Sequence, residues 1–550
     1  MKKILAGVLS AAMLLSLTAC SGGATSSKQP SSSSGGASAT ESKPESFAGA
    51  KLTYFASLQA PDVYSSNADM LCYKMAEEAT GIIIDWVIPP KGQESDKFNT
   101  LILSDQKPDI LETGWQTYAG GPDAAMDTKV IQDITDGIKQ YMPNLTAYLD
   151  KYPEVQTMVK ADSGRYYCVP SIFTTSPGDK WETTLNRAPT DENYIGIMVR
   201  KDFLDQVGMK APVTIDDYIN VLTAFKEKLN ISYPFSPQIW MLKAAHSFAS
   251  AYDVSSSGFM EVDKKAVFAP VQDSYREYLR TLHTLYEKGL LDPDYANQDG
   301  TTCQAKITSG ETGMWIGFYS SWGNALYDQC HEKDASSTFD FIGLVNPKKT
   351  ADQKLKLKQS DYAYRNNGAA ISTSCTQMGA ALTYLDWAWS EEGDRAMNWG
   401  KEGTTFTMEN GWPALTELVT KDADGLSVAN AIQKYTRKQG PLAMDYYNRL
   451  VLGKSSKGPG LDALAVWNSD ENGTQSASFP LVTQTADEAT EVSSISTNID
   501  TYVSESFVSF VDGTLSLDKD WDSYVSHIND MDLAKLTELR QAALDRYYKR

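Results

Sequence analysis

At 550 residues and 42% hydrophobic content, the chain is long enough to build more than one hydrophobic core. A formal charge of −20 argues against nucleic acid or anionic lipid headgroups as partners, since both reward an excess of Lys and Arg. The six cysteines are widely spaced with no C-x-x-C, which suggests neither a zinc site nor a dense disulfide framework.

Met1-Lys2-Lys3 supplies a positive start, and Ile4 to Leu17 an apolar run too short to span a bilayer as a mature helix. Leu17-Thr18-Ala19-Cys20 then resembles a bacterial lipobox, so residues 1–19 read as a lipoprotein signal peptide and Cys20 as the lipidated residue. Two or three acyl chains, at ~0.8 kcal/mol per buried CH₂, hold a protein almost permanently where one binds reversibly. Residues 20–50, dominated by Ser, Gly, Ala and Thr, read as a tether with a root-mean-square reach of roughly 30 Å. With Cys20 lipidated, Cys72, Cys168, Cys303, Cys330 and Cys375 remain; Cys303 with Cys330 is the nearest pair, and buried free thiols are the alternative.

The body opens on a strand-like run from Lys51 to Ala56. Asp69 to Thr80 reads as an amphipathic helix closed by Gly81, followed by a strand from Ile82, a helix from Phe98 to Leu103 and a strand at Asp109-Ile110-Leu111. Strands alternating with helices imply crossover units, a mainly parallel sheet, and ligand loops beyond the carboxyl ends of the strands. Gly208 and Pro212 end a helix, and Thr214 with Asp217 forms a capping arrangement for the next.

Several segments, in order, resemble extracellular solute-binding proteins of ABC importers. They are Pro108-Asp109 after a turn, Gly164 to Pro170, and above all Arg200-Lys201-Asp202 through Gly208, Pro212 and Thr214. Gly289-Leu290-Leu291-Asp292, Gly313-Met314-Trp315, Leu385 to Gly393 and Phe510 to Gly513 continue the likeness, which is nearest to the large oligosaccharide-binding lipoproteins. The resemblance implies an α/β, periplasmic-binding-protein-like fold with two lobes around a ligand cleft joined by a hinge. It assigns residues 51–165 plus 295–365 to the first lobe, 170–290 plus 370–500 to the second, and 500–550 to C-terminal helices. It further implies a monomer that captures a small solute, most often an oligosaccharide, by closure of the lobes and delivers it to membrane permease subunits. A peptide or other small solute is the alternative cargo; a surface glycan hydrolase or an adhesin is the alternative class. One departure concerns Lys226 to Phe235, which lacks the hard oxygen ligands that relatives use for calcium, so neither a metal nor a cofactor is expected. Asp518-Lys519-Asp520-Trp521-Asp522 reads as a helix-start cap.

Catalytic signatures are sparse. His246, His283, His331 and His527 lie far apart with no H-E-x-x-H, and Ser104 to Lys107 satisfies S-x-x-K only in a turn. No catalytic residue is therefore assigned. Candidate ligand contacts are aromatic residues beside polar or glycine neighbours at strand ends, because sugar rings offer an apolar C–H face and a hydroxyl rim. These are Trp115 and Gln116; Trp315, Tyr319 and Trp322; and Tyr364, Arg365 and Asn366. Trp240 and Tyr252 follow from the other lobe, and Gln59 after the first strand. Trp387 and Trp389 are two apart on an expected helix, so they cannot both face one side, and one of them packs inside.

Overall fold

The computed structural model describes residues 46–550, apart from positions 62, 178, 360, 361, 438, 446, 449 and 452–455. The expected leader, the lipidated Cys20 and the tether up to residue 45 lie outside the described residues. The described strands are β1 (Lys51–Phe55), β2 (Ile83–Val87), β3 (Ile110–Thr113), β4 (Val169–Thr174), β5 (Ile195–Arg200), β6 (Tyr233–Phe235), β7 (Phe259–Val262), β8 (Lys265–Phe268), β9 (Thr312–Phe318), β10 (Phe341–Leu344), β11 (Tyr364–Ile371), β12 (Phe406–Glu409), β13 (Trp412–Leu415) and β14 (Ala443–Asp445).

Two sheets organise them. A six-stranded sheet runs β14-β4-β11-β3-β1-β2, and a four-stranded sheet runs β10-β5-β9-β6. In the first, β11 alone runs antiparallel to its neighbours; in the second, β5 does. Each sheet carries its own core, around Ile84, Ile110 and Ile172 in the first half and around Ile197, Phe235 and Ile316 in the second. Helices supply the other wall. In Ile215–Leu229, Tyr218, Val221, Leu222 and Phe225 form one buried stripe, each worth about 1.5–3 kcal/mol against exposure. That helix starts with the expected reciprocal cap between Thr214 and Asp217, and the preceding helix ends at Gly208 with φ 70°.

Sheet membership corrects the expected division of segments. β9 and β10, from the stretch 295–365 assigned to the first lobe, pair with β5 in the second sheet. β14, from the stretch assigned to the second lobe, pairs with β4 in the first sheet, and β11, which begins in the first-lobe stretch and ends in the second-lobe one, pairs there with β3 and β4. The chain crosses between halves three times: β4 to β5, β10 to β11, and β14 to the helix Gly460–Asn468. That helix seats Trp467 so tightly on β5 that a Cβ at Gly196 would lie 2.3 Å from the ring. Its indole N–H donates to the Ile197 carbonyl at 3.2 Å.

Helices Ala486–Asp512 and Leu533–Tyr547 pack on the second half, yet Arg546 and Arg550 reach Asp162 beside the first, each at 2.7 Å. Asp520 does not cap the helix that follows; its carboxylate accepts from the Ser516 amide at 2.8 Å instead, and Asp518 pairs with Arg280. Trp387 and Trp389 are both buried, because the helix Met378–Trp387 stops between them and frees Trp389 from helical phase. The five described cysteines are free, Cys303 and Cys330 included. Burial pushes the thiols of Cys72, Cys168, Cys303 and Cys375 up to about 12, a range in which they act as small apolar groups. No helix among the described residues is long and apolar enough to cross a membrane.

Candidate functional site

Strand direction locates the cleft. Because β11 runs against its neighbours, its amino end shares an edge with the carboxyl ends of β1, β2, β3, β4 and β14. Likewise the amino end of β5 shares an edge with the carboxyl ends of β6, β9 and β10. The first two crossings run from one of these edges to the other and the third leaves from the first, so the two edges bound the space between the halves. At the junction the Arg365 guanidinium lies over both the Phe173 ring (4.3 Å) and the Tyr194 ring (5.8 Å), one ring from each side. Asp191 accepts from the Ala363 amide at 2.6 Å, tying one crossing to another.

Most of the expected contact residues turn out to be packing. Trp115 is fully buried, its ring edge-on to Phe98 at 5.6 Å and its N–H on the Gly368 carbonyl at 3.1 Å. It continues the alternation of β3, sharing a cluster with Leu111. Trp315 is also fully buried, against Phe339 and Phe341, with its N–H on the Trp322 carbonyl at 3.1 Å. Trp322 and Tyr319 belong to the same core. Gly317 is the slot for Trp322, since a Cβ there would meet the Trp322 side chain at 2.4 Å; small residues here admit a ring rather than open a mouth. Tyr364 is buried, its hydroxyl 3.1 Å from that of Tyr167. Tyr252 binds Thr281 at 2.6 Å under Lys349, and the Gln59 amide donates to Asn67 at 2.9 Å. Gln116 and Asn366 are brought together: Asn366, held at φ 50°, accepts from the Gln116 amide at 2.8 Å. That bond closes the loop after β3 onto the start of β11.

Trp240 differs from the rest. It stands 48% exposed just beyond the carboxyl end of β6, its ring 6.3 Å from Phe318 at the end of β9. Its indole N–H donates to Gln238 Oε1 at 3.1 Å, and Gln238 is itself held by the Gln298 carbonyl at 3.1 Å. The platform is therefore fixed before anything binds.

The first half carries aromatics that the sequence reading passed over. Half-buried Trp181 and Trp412 flank Tyr447 and Trp399. Asp445, at the end of β14, organises them: it pairs with Arg187 at 2.5 Å and accepts from the Trp399 indole at 2.8 Å and the Tyr447 amide at 2.7 Å. Arg187 also lies 6.0 Å from the Trp181 ring. The available signal was Trp181 in a polar loop directly after the buried strand Val169–Thr174.

His246 Nδ1 lies 2.9 Å from Ser256 Oγ, but Ser256 is fully buried and its hydroxyl is taken up by the Lys243 carbonyl. Burial also pulls the His246 imidazole down to about 4. The pair is held as packing, with the hydroxyl closed to a substrate.

Comparison with known proteins fits this architecture. Over 512 residues the chain is 24% identical to the fructooligosaccharide ABC transporter substrate-binding protein FusA of Streptococcus pneumoniae, covering 87% of each chain. It is also 24% identical over 371 residues to lipoprotein LipO of Bacillus subtilis, covering 65% of this chain and 67% of LipO. Among solved structures it is similar to an HMO-binding, ABC-transporter-associated solute-binding protein from Bifidobacterium longum infantis. That match has TM-score 0.71 at 16% identity and covers 90% of this chain and 99% of the other. FusA in complex with kestose matches with TM-score 0.67 at 20% identity, covering 91% and 99%. Residues 71–395 match the family model described as bacterial extracellular solute-binding protein, and with two sheets, three crossings and a cleft between strand-end edges, the chain belongs to that family.

Proposed function

We propose that this protein is a lipid-anchored extracellular receptor that takes up an oligosaccharide between its two halves and passes it, unaltered, to the permease of an ABC importer. The observation that carries the cargo class is Trp240, an exposed ring pre-fixed by Gln238 at a strand-end edge where most other tryptophans are buried. An aromatic face offers contact to the C–H side of a sugar, and it gives up little entropy because its hydrogen bond already orients it. Trp181, Trp412 and the Arg187–Asp445 pair supply the same combination of ring and polar group on the other half. The family, and one relative named as a fructooligosaccharide ABC transporter substrate-binding protein, support the reading.

The test is a thermal-shift panel of fructo-, galacto- and uronic oligosaccharides, with kestose first and trialanine as the peptide arm. A cognate sugar at a hundred times its Kd stabilises by about 2.7 kcal/mol. Trp240→Ala is expected to weaken that sugar about tenfold, roughly 1.4 kcal/mol. A peptide-only shift, or product released from the sugar, refutes the assignment.

Anchoring is tested separately. Cys20→Ser should move the protein from the membrane fraction into the medium, because without the acyl chains nothing offsets the loss of ~0.8 kcal/mol per CH₂. Retention of the variant on the membrane would show that the lipobox reading is wrong.

A further inference from the structure

A cavity of about 540 Å³ opens in the second half, between the β7–β8 hairpin, the loop 477–480 and the two long C-terminal helices. Its size suits a small ligand. It meets the strand-end edges at Gln359, whose side chain accepts from the Ile195 amide at the start of β5 at 2.9 Å, and at Tyr362, two residues before β11, while its other walls come from the hairpin and the C-terminal helices.

Asp500 and Arg540 line it from different helices. The Arg540 Nε is buried without a hydrogen-bond partner, and among the described residues no ion pair joins Arg540 to Asp500. Burial lowers the Arg540 guanidinium and raises the Asp500 carboxyl, each only partly offset by the other's charge. Lys243, the other cation felt by Asp500, is turned toward the Phe507 ring at 4.6 Å. His246 also lines the cavity and is neutral there. An anion entering this space meets Asp500, and a cation meets Arg540. A net-neutral molecule that both donates and accepts hydrogen bonds satisfies the two together.

The remaining wall is aromatic. Phe259 and Phe479 are 5.9 Å apart, and Tyr362 is pinned by its hydroxyl on the Phe479 carbonyl at 2.5 Å. Flat rings beside a carboxylate and a guanidinium fit the C–H face and hydroxyl rim of a sugar-sized polyol. We propose that this cavity is a second ligand site, for a neutral polyhydroxylated molecule of monosaccharide size, with Arg540 and Asp500 as its polar contacts and Phe259 as its platform.

The probe is D-glucose, followed by saturation-transfer NMR on the intact protein, with glycine as a zwitterionic control. Arg540→Met and Asp500→Asn should each weaken glucose at least tenfold, while Trp240→Ala leaves it unchanged; melting curves establish that each variant is folded. Loss of the signal in Trp240→Ala but not in Arg540→Met would place glucose in the cleft and overturn the proposal. So would an Arg540-dependent signal from glycine alone, or no signal from glucose at all. Oligosaccharide binding in the cleft stands or falls on Trp240 and is read independently.

Discussion

Arg437→Met is expected to destabilise the protein by about 3–5 kcal/mol, the cost of leaving a buried charge without its partner. Arg437 and Glu112 are only 2% and 5% exposed in their side chains. Arg437 Nη2 reaches both Glu112 oxygens, the Oε2 contact being 2.5 Å. Glu112 also accepts from the Tyr54 hydroxyl at 2.7 Å and from Asn367 at 3.2 Å, so its carboxylate is held by β1, the start of β11 and the segment before β14 at once. Removing the guanidinium strands that carboxylate beneath the central strands of the first sheet. The double variant Arg437→Met with Glu112→Leu should recover most of the loss, because the desolvation of both charges disappears together. Urea denaturation of the three proteins measures it. A single variant within 1 kcal/mol of the parent would contradict the buried-pair account, by the same reckoning of about 3–5 kcal/mol.

The second large effect is on pH dependence. Burial, with the nearby Asp445 carboxylate adding to it, lifts Asp394 from 3.8 to about 7 even though Thr184 hydrogen bonds pull the other way. A carboxyl held protonated in the folded chain but ionising at its ordinary value when unfolded contributes its full stabilisation below pH 3.8, and that contribution is lost as pH rises through about 7. At 1.36 kcal/mol per unit the loss across the window is up to about 4 kcal/mol. Asp386, raised to about 6 by burial, acts in the same direction. Denaturation at about pH 4.5 and about pH 7.5 should therefore show the gap between the parent and Asp394→Asn narrowing at the higher value. A gap independent of pH would mean that Asp394 ionises freely in the folded state.

Local structure was legible wherever a side chain decides it alone. Gly81 and Gly208 close their helices in the left-handed region, and Thr214 with Asp217 caps the next, as their residue types require. Sheet membership was not legible, because nothing within the residues of β9 or of β11 says which sheet either joins. Site residues were least legible. An aromatic ring beside glycine reads the same whether the glycine is a flexible mouth or, as at Gly317, a slot for the ring. Alternation along β3 extended through Trp115 would have placed that ring indoors, whereas Trp240 sits beyond the strand's phase and stays outside.

The three crossings carry a mechanical corollary. Two bodies threaded by three separate covalent joints survive a single proteolytic nick in any one of them, so nicked protein should migrate as one particle under native conditions and divide into fragments only in detergent. The same triple threading restricts twisting between the bodies, leaving a clam-like swing as the cheap motion.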